Sequence, residues 1–212
     1  PCAPGRLLLS ADYSQIELRV LAHVTHDPSL IHAYRENIDV HRLTASKIFK
    51  VSPEEVTPEQ RDVGKTINFG VIYGMSAPGL ANRLKIPMEE ARAFIDEYFA
   101  AYAGVRAWLD RTLEFARTHG YVETVSGRRR YLPDIRSRNF NARSAAERVA
   151  TNAPIQGTSA DMIKIAMIRV ADFLKREKAE TKMILQVHDE LIFDMPEDEV
   201  KTLTLEIVRI MK

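Results

Sequence analysis

The sequence predicts an α+β fold in which an antiparallel sheet is built from both ends of the chain and a mainly helical segment is inserted between them. Three observations predict it. Residues 5–13 form an apolar run typical of a buried strand, residues 183–187 and 191–195 form two more, and helical spacing dominates the residues between. A single sheet that uses both ends is the economical arrangement.

The first strand passes into a helix at about residue 14, and helical segments then follow one another through the middle of the chain. The predicted helices cover residues 14–25, 28–36, 40–49, 58–73, 88–101 and 105–119. Residues 142–178 are predicted to be helical with a break at Pro154, because proline lacks an amide proton and its ring clashes with the preceding turn.

Two hairpins complete the predicted elements. Residues 121–125 and 129–132 are joined around Ser126 and Gly127, and residues 183–187 and 191–195 are joined by a polar tip. The tip of the second hairpin is His188-Asp189-Glu190.

Composition limits the class of protein. The chain has 212 residues, 45% of them hydrophobic, which is enough for one large domain or two small ones. It has no run of roughly 18 or more apolar residues and no signal-peptide layout, so we predict no membrane segment and a cytoplasmic location. The single cysteine, Cys2, has no partner for a disulfide or a zinc site, so oxygen atoms must hold any bound metal.

Two aspartates lie where strands from opposite ends of the chain terminate. Asp12 closes the first strand and Asp189 lies at the hairpin tip, so a shared sheet would bring them together. Two Mg²⁺ ions about 3.5–4 Å apart need shared anionic oxygen ligands, and they stabilise both the attacking and the leaving oxygen in phosphoryl transfer. Each aspartate taken singly is more typical of a turn or a cap. The pair favours a metal site.

The helix predicted at residues 58–73 begins with a capping box of Thr57 and Gln60 around Pro58. Side chains at intervals of four form one stripe along it, roughly 18 Å long. The stripe residues are Arg61, Lys65, Phe69 and Tyr73. Two cations followed by two aromatics match the phosphates and the base of a nucleoside triphosphate. An ordinary amphipathic helix with snorkelling cations is the alternative.

Two glycines inside this helix, Gly64 and Gly70, each cost roughly 1 kcal/mol relative to alanine. They indicate a helix that moves or that admits a close neighbour. Gly64-Lys65-Thr66 ends like a P-loop, but Glu59 occupies the place of the leading glycine, so we reject a P-loop.

Positive charge is concentrated in residues 126–148, although the net charge of the chain is only +1. This segment has seven arginines and two acidic residues, and Tyr131 and Phe140 are interleaved with them. Such a segment suits a nucleic-acid backbone, with the aromatic rings available to sugar or base. A solvated charged face is the alternative.

Three segments of the chain resemble, in order, the three polymerase motifs of the family A DNA polymerases, to which bacterial DNA polymerase I belongs. The segments are Asp12-Tyr13-Ser14-Gln15-Ile16-Glu17-Leu18-Arg19, then Arg61, Lys65, Phe69-Gly70 and Tyr73-Gly74 at their spacing, then Gln186-Val187-His188-Asp189-Glu190. The resemblance continues through Asp39-Val40-His41-Arg42, Gly120-Tyr121-Val122-Glu123-Thr124, Gly127-Arg128-Arg129 and Asn152-Ala153-Pro154-Ile155-Gln156-Gly157-Thr158. It covers nearly the whole chain.

The resemblance implies a DNA-directed DNA polymerase, a nucleotidyltransferase of DNA replication and repair. Such an enzyme transfers a deoxynucleotide from a dNTP to a primer 3′-hydroxyl and releases pyrophosphate. Asp12, Asp189 and the backbone carbonyl of Tyr13 would hold two Mg²⁺ ions, and Lys65 would protonate the departing pyrophosphate. The implied partners are a DNA primer–template and a dNTP, and we expect a monomer with no membrane contact.

The resemblance also assigns contacts to the incoming nucleotide. They would come from Gln15, Glu17, His41, Arg61, Lys65, Phe69 and Tyr73. Glu17 and Tyr73 resemble a steric gate against a ribose 2′-hydroxyl, although Ser14 and Glu17 also match a capping box, and both roles could hold. Phe69 in place of tyrosine implies discrimination against dideoxynucleotides.

On the DNA side, the resemblance places four residues along the template–primer and one acidic residue beside the metals. The four are Arg148, Asn152, Gln156 and His188; the acidic residue is Glu190, with a secondary role.

By the same resemblance, residues 1–36 and 120–212 are parts of a palm, and residues 37–119 are helical fingers. Family members have a thumb and further palm residues outside this range, and exonuclease domains are absent here. The chain begins with Pro1 rather than methionine, so we expect a fragment that binds primer–template weakly and is incomplete for activity alone.

Three rival functions remain open from the sequence. A single-subunit RNA polymerase shares the palm aspartates, but the acidic Glu17 favours deoxynucleotides. A two-metal nuclease needs paired carboxylates but has no use for the stripe. A non-enzymatic DNA-binding module explains only the arginines.

Overall fold

The computed structural model describes residues 3–212, so Cys2 lies outside the described residues. The strands are β1 (Arg6–Asp12), β2 (Tyr121–Glu123), β3 (Arg129–Tyr131), β4 (Lys182–Val187) and β5 (Glu190–Pro196). The α-helices are α1 (Ile16–Thr25), α2 (Pro28–Arg35), α3 (Val40–Phe49), α4 (Pro58–Ile72), α5 (Ala77–Leu84), α6 (Met88–Ala101), α7 (Ala103–His119), α8 (Phe140–Arg176) and α9 (Val200–Met211). Short 3₁₀ helices cover Pro53–Glu55 and Pro133–Arg136.

The chain forms two compact units. Unit 1 takes both ends, Pro1–Ile16 and Thr158–Lys212, and unit 2 is Glu17–Gly157. Helix α8 therefore starts in unit 2 and ends in unit 1. The division into palm and fingers rests on the family resemblance and stays a prediction.

Unit 1 contains a three-stranded antiparallel sheet of order β1-β5-β4, which confirms the predicted α+β fold and the use of both chain ends. The sheet buries one face because side chains alternate across a strand. Leu191, Phe193 and Met195 of β5 are fully buried and cluster with Val170 of α8 and Ile207 of α9. Each such side chain contributes about 1.5–3 kcal/mol to folding, so this cluster holds the strand ends in place.

Unit 2 is mainly helical and includes the β2–β3 hairpin. Helix α4 begins with the predicted capping box, in which the Thr57 side chain accepts from the Gln60 amide and the Gln60 side chain accepts from the Thr57 amide. Helix α3 packs closely on α4 at Gly64, where an added Cβ would lie 2.4 Å from the His41 carbonyl oxygen. The close neighbour that this glycine indicated is therefore α3.

The predicted helix break at Pro154 is wrong. Helix α8 is continuous from Phe140 to Arg176 with Pro154 inside it. Ala150 and Ile155, on either side of the proline, are fully buried, so packing keeps both turns helical despite the lost hydrogen bond.

Helix α5 was not predicted, because Pro78 and Gly79 are typical of a loop. The structure uses Pro78 in the first turn after the N-cap Ser76, where a missing amide proton has no cost, and Leu80 and Ala81 are buried.

Among residues 3–212, no helix combines the length and the apolar character that crossing a bilayer demands.

The α3–α4 contact generates a stability prediction. We expect Gly64→Ala to lower the free energy of unfolding by about 1–3 kcal/mol, because the clash with a backbone oxygen outweighs the higher helix propensity of alanine. Gly70→Ala is the control, because its Cβ would meet only the flexible Met75 side chain, with the sulfur at 3.1 Å. Denaturant titrations measure both, and equal stabilities would contradict the close contact.

Candidate active site

The structure brings the two predicted metal aspartates together in unit 1. Asp12 ends β1 opposite Glu190 of β5, and the Tyr13 amide donates to the Asp189 carbonyl oxygen at 3.1 Å. His188 and Asp189 form the turn between β4 and β5, with His188 at a φ of +52°. Pairing of the first strand with the hairpin therefore places both aspartates at the same end of the sheet, where β1 ends and the β4–β5 turn lies.

Negative charge accumulates at this end of the sheet. Burial raises the pKa of Asp12, and the neighbouring charges of Asp189 and Glu190 raise it further. Glu190 also accepts a hydrogen bond from Ser10. A cation bound among these oxygens would offset their mutual repulsion.

The two aspartates are too few by themselves to fill the coordination sphere of a divalent cation. Within residues 3–212, no group of three or more His, Cys, Asp and Glu side chains is arranged to hold a metal. Mg²⁺ is commonly held by one or two carboxylates together with water and substrate phosphates. Asp12, Asp189 and the Tyr13 carbonyl would meet that requirement.

The predicted stripe lies along α4 in unit 2. The rings of Phe69 and Tyr73 are stacked, with centroids 6.3 Å apart and an interplanar angle of 15°. The His41 ring lies 5.7 Å from Phe69 at a tilted angle. Lys65 is exposed and makes no hydrogen bond or ion pair with the described residues. Its ammonium group is available to an anion.

Arg61, the other cation of the stripe, is held by Asp39. Its Nε lies 2.6 Å from Asp39 Oδ2, while Asp39 Oδ1 caps α3 by accepting from the amides of His41 and Arg42. Burial acts to raise the pKa of Asp39, but the hydrogen bonds from Arg61 and these amides outweigh it and lower that pKa. One carboxylate thus starts α3 and orients the guanidinium of α4.

Glu17 and Tyr73 contact each other, as the predicted gate requires. The Tyr73 hydroxyl donates to the Glu17 carboxylate and also bonds with Gln156. Burial, with the contribution of Glu17, raises the pKa of Tyr73 to about 12. The predicted capping box of Ser14 and Glu17 is wrong, because Gln15 has a φ of +54° and α1 begins at Ile16. Glu17 is therefore the second helical residue rather than the third, which a box would need.

A buried polar network joins α3, α4 and the residue between α6 and α7. His41, Thr44, Asn68 and Tyr102 are at most 3% exposed. Asn68 Nδ2 lies 3.0 Å from His41 Nδ1, Thr44 Oγ1 lies 3.0 Å from Asn68 Oδ1, and the Tyr102 hydroxyl lies 2.9 Å from Thr44 Oγ1. Thr44, Asn68 and Tyr102 were not predicted from the sequence. The available signal was the polar Asn68 between the apolar Ile67 and Phe69.

The residues assigned to DNA are divided between the units. Arg148, Asn152 and Gln156 recur every four residues on α8 in unit 2, whereas His188 is exposed in unit 1. Asn152 Oδ1 is enclosed without a hydrogen-bond partner among the described residues. Arg148 packs against Gly74, where a Cβ would lie 3.0 Å from its Cγ.

Part of the basic segment is structural. Arg129 forms an ion pair with Glu123 at 2.8 Å, and Arg136 donates to the Arg117 and Thr118 carbonyl oxygens. Further along the segment, Arg143 donates to the Ser137 carbonyl oxygen at 3.0 Å. By contrast, Arg130 and Arg138 are exposed and make no hydrogen bond or ion pair with the described residues. These two arginines remain available to a phosphate backbone.

Comparison with known proteins gives a consistent result over the whole chain. The model of DNA polymerase family A matches residues 1–212. DNA polymerase I of Geobacillus stearothermophilus is 50% identical over 212 residues, which are 100% of this chain and 24% of that protein. The thermostable DNA polymerase I of Thermus thermophilus is 53% identical over 197 residues, covering 93% of this chain and 24% of that protein.

Among solved structures, the chain is similar to the POL domain of Pol1 from M. smegmatis in complex with DNA primer-template and dNTP. The TM-score is 0.95 at 46% identity, covering 99% of this chain and 37% of that one. The chain spans about a quarter of the length of the curated relatives above.

The carboxylate pair generates a prediction for the metal-free protein. We expect Asp189→Asn to raise the melting temperature at neutral pH in the presence of a chelator. The pKa of Asp12 is higher in the folded state than in the unfolded state. The charge on Asp12 therefore destabilises the fold fully when the pH is above the folded-state pKa, and not at all when the pH is below the unfolded-state pKa. The gain is about 1 kcal/mol or less, because both groups are partly solvated.

Asp194→Asn is the matched control on the same sheet. Asp194 is paired with Arg6 at 2.8 Å, so this change should lower the melting temperature. Added Mg²⁺ should stabilise the wild type more than Asp189→Asn. Calorimetry that found Asp189→Asn less stable than wild type without metal would refute the repulsion.

Proposed function

Since the chain belongs to DNA polymerase family A, we propose that it carries the nucleotidyl-transfer site of a template-directed DNA polymerase. The reaction is in-line attack of a primer 3′-hydroxyl on the α-phosphate of a dNTP, with pyrophosphate leaving. The observation that carries the proposal is that Asp12 and Asp189 lie together at one end of the sheet. Protein does little covalent work in phosphoryl transfer, so positioning and electrostatics supply most of the rate.

Polymerases of this family are nucleotidyltransferases that need divalent metals. We assign two Mg²⁺ ions to Asp12, Asp189 and the Tyr13 carbonyl, because oxygen ligands suit that ion. When bound, the ions supply charge stabilisation to the attacking and leaving oxygens. Glu190, bonded to Ser10, has a secondary role beside them.

The stripe on α4 would bind the incoming nucleotide. Arg61 and Lys65 are assigned to the triphosphate, and Lys65 is also the proton donor to pyrophosphate. Gln15 and His41 are assigned to the same ligand. Asp39 supports this assignment by holding the Arg61 guanidinium in one orientation before a ligand arrives.

Selection of the sugar would fall to the residues at the far end of the stripe. The hydrogen bond between Tyr73 and Glu17 supports their proposed role as a gate against a 2′-hydroxyl. Phe69, stacked on Tyr73, would lie next to the incoming sugar, and it has no hydroxyl to replace a missing 3′-hydroxyl.

The partners we propose are a DNA primer–template and a dNTP, which the related Pol1 structure contains. Arg148, Asn152, Gln156 and His188 would face the DNA near the nascent pair. We also propose a monomeric, cytoplasmic protein, with palm at residues 1–36 and 120–212 and fingers at 37–119.

Primer extension tests the reaction in a chimera in which this chain replaces the matching segment of Geobacillus stearothermophilus DNA polymerase I. We expect Asp12→Asn and Asp189→Asn each to lower kcat/KM roughly 10³-fold or more, because each removes a charge that holds the metals. Asp194→Asn, on the same sheet but outside the site, should retain most of its turnover. Near-normal activity in either of the first two variants would refute the assignment.

Ribonucleotide incorporation tests the gate in the same chimera. We expect Glu17→Ala to raise the rNTP-to-dNTP ratio of kcat/KM by roughly 10- to 200-fold, the usual worth of one steric contact in a pocket. Tyr73→Phe is the control, because it keeps the ring and removes only the hydroxyl that donates to Glu17, so its effect should be smaller. An unchanged ratio in Glu17→Ala would favour the RNA polymerase alternative.

A further inference from the structure

The proposed function uses the backbone carbonyl of Tyr13 and gives its side chain no role. We propose that the Tyr13 side chain is a positioning group that fixes this carbonyl beside Asp189, so that the metal site is ordered before a cation binds. The metal half of this inference rests on the proposed function. The anchoring half rests on contacts within the protein alone.

Tyr13 lies directly after β1 and continues the alternation of side chains along that strand. Ala11 belongs to the hydrophobic cluster under the sheet, and Leu9 and Tyr13 pack against the same cluster. Asp12, between Ala11 and Tyr13, is exposed. One side chain is therefore available to the proposed metal site, and the next one along the chain is held against the core.

Two hydrogen bonds restrain Tyr13, one from its backbone and one from the tip of its ring. Its amide donates to the Asp189 carbonyl oxygen at 3.1 Å. Its hydroxyl lies 2.6 Å from the Met211 carbonyl oxygen, and the hydroxyl must be the donor because a carbonyl oxygen only accepts. The carbonyl assigned to the metal belongs to the same residue, so these two bonds limit where it can lie.

Met211 gives the ring a rigid partner. It is the last residue of α9, and together with Leu203 and Ile207 it is buried in the cluster that also contains β5 side chains. The last carbonyls of a helix have no partner within the helix, so one of them accepts from Tyr13 without the loss of a helical bond. Asp189 directly precedes β5, so both bonds of Tyr13 lead to parts of one packed core.

The restraint matters because Mg²⁺ demands near-ideal octahedral geometry from its oxygen ligands. Strand β1 ends at Asp12, so the Tyr13 carbonyl lies beyond the paired residues of β1 and β5. A ligand that is already in place costs no ordering entropy when the ion arrives, whereas a mobile one does. Loss of the hydroxyl should therefore weaken metal binding as well as the fold.

The alternative is that the hydroxyl bond only stabilises α9. Thr181 distinguishes the two explanations, because its hydroxyl lies 2.5 Å from Oε2 of Glu199, the residue before the first turn of α9. Tyr13→Phe and Thr181→Val each remove one hydroxyl hydrogen bond to α9, at opposite ends of the helix. Both changes should lower the melting temperature, but only Tyr13→Phe should alter the metal site.

Hydrogen–deuterium exchange of the metal-free chimera tests the anchor, with mass spectrometry of the peptide that contains residue 13. We expect Tyr13→Phe to speed exchange of the residue-13 amide about 3- to 10-fold, the effect of one lost hydrogen bond. Thr181→Val should leave that peptide at the wild-type rate. Equal exchange in the wild type and Tyr13→Phe would overturn the proposal.

Mn²⁺ binding, followed by electron paramagnetic resonance, tests the metal half without turnover, on the chimera with a dideoxy-terminated primer–template and dNTP. We expect Tyr13→Phe to weaken Mn²⁺ binding about 3- to 10-fold. The Mg²⁺ concentration for half-maximal primer extension should rise by a similar factor, with a smaller change in kcat at saturating Mg²⁺. Thr181→Val should match the wild type in both measurements. Equal weakening in the two variants, or none in Tyr13→Phe, would overturn the proposal.

Failure of the proposed function would give a different result. If Asp12→Asn bound Mn²⁺ as tightly as the wild type, the carboxylates would not hold the metals, and the proposed function would fail together with the metal half of this inference. The exchange rate of the residue-13 amide would still decide whether the Tyr13 hydroxyl anchors the backbone.

Discussion

The antiparallel pairing of β1 with β5 is the constraint on which the carboxylate pair depends. Asp12 has no fixed relation to Asp189 until the backbone bond from Tyr13 to Asp189 forms and the strand partners align. The hydrophobic cluster under the sheet keeps that register, because a slip by one residue would turn its buried side chains toward solvent. Apolar packing on one face thus sets the distance between charges at the strand ends.

In unit 2 the corresponding constraint is the close approach of α3 and α4. Gly64 lets the His41 carbonyl come near α4, and Asp39 both caps α3 and holds Arg61. The buried bonds of Asn68 connect the same two helices. A single packing contact therefore orders His41, Arg61 and Asp39. The proposed function assigns the first two to the nucleotide, and Asp39 supports Arg61.

Much of the fold follows from local pattern. The strands, most helices and the α4 capping box are confirmed because hydrophobic periodicity and cap residues act over a few neighbours. Helix α5 and the continuity through Pro154 were not predictable in this way, because the burial of Leu80 and of Ile155 arises from packing between elements and not from the residues beside them. Asp12, Asp189 and the stripe on α4 were predicted as candidate site residues from residue type and spacing. Asn68 and Tyr102 were not, since a network between three helical regions exists only once they are packed.

The long separation between the partners in this sheet has a consequence for biosynthesis. Ser10 and Glu190 are bonded although they are 180 residues apart in sequence. A ribosome releases β1 long before β5 exists, so the early strand waits with an unpaired hydrogen-bonding edge, while the helices between can form from local contacts. Asp12 therefore cannot lie beside Asp189 and Glu190 until the second hairpin has been synthesised.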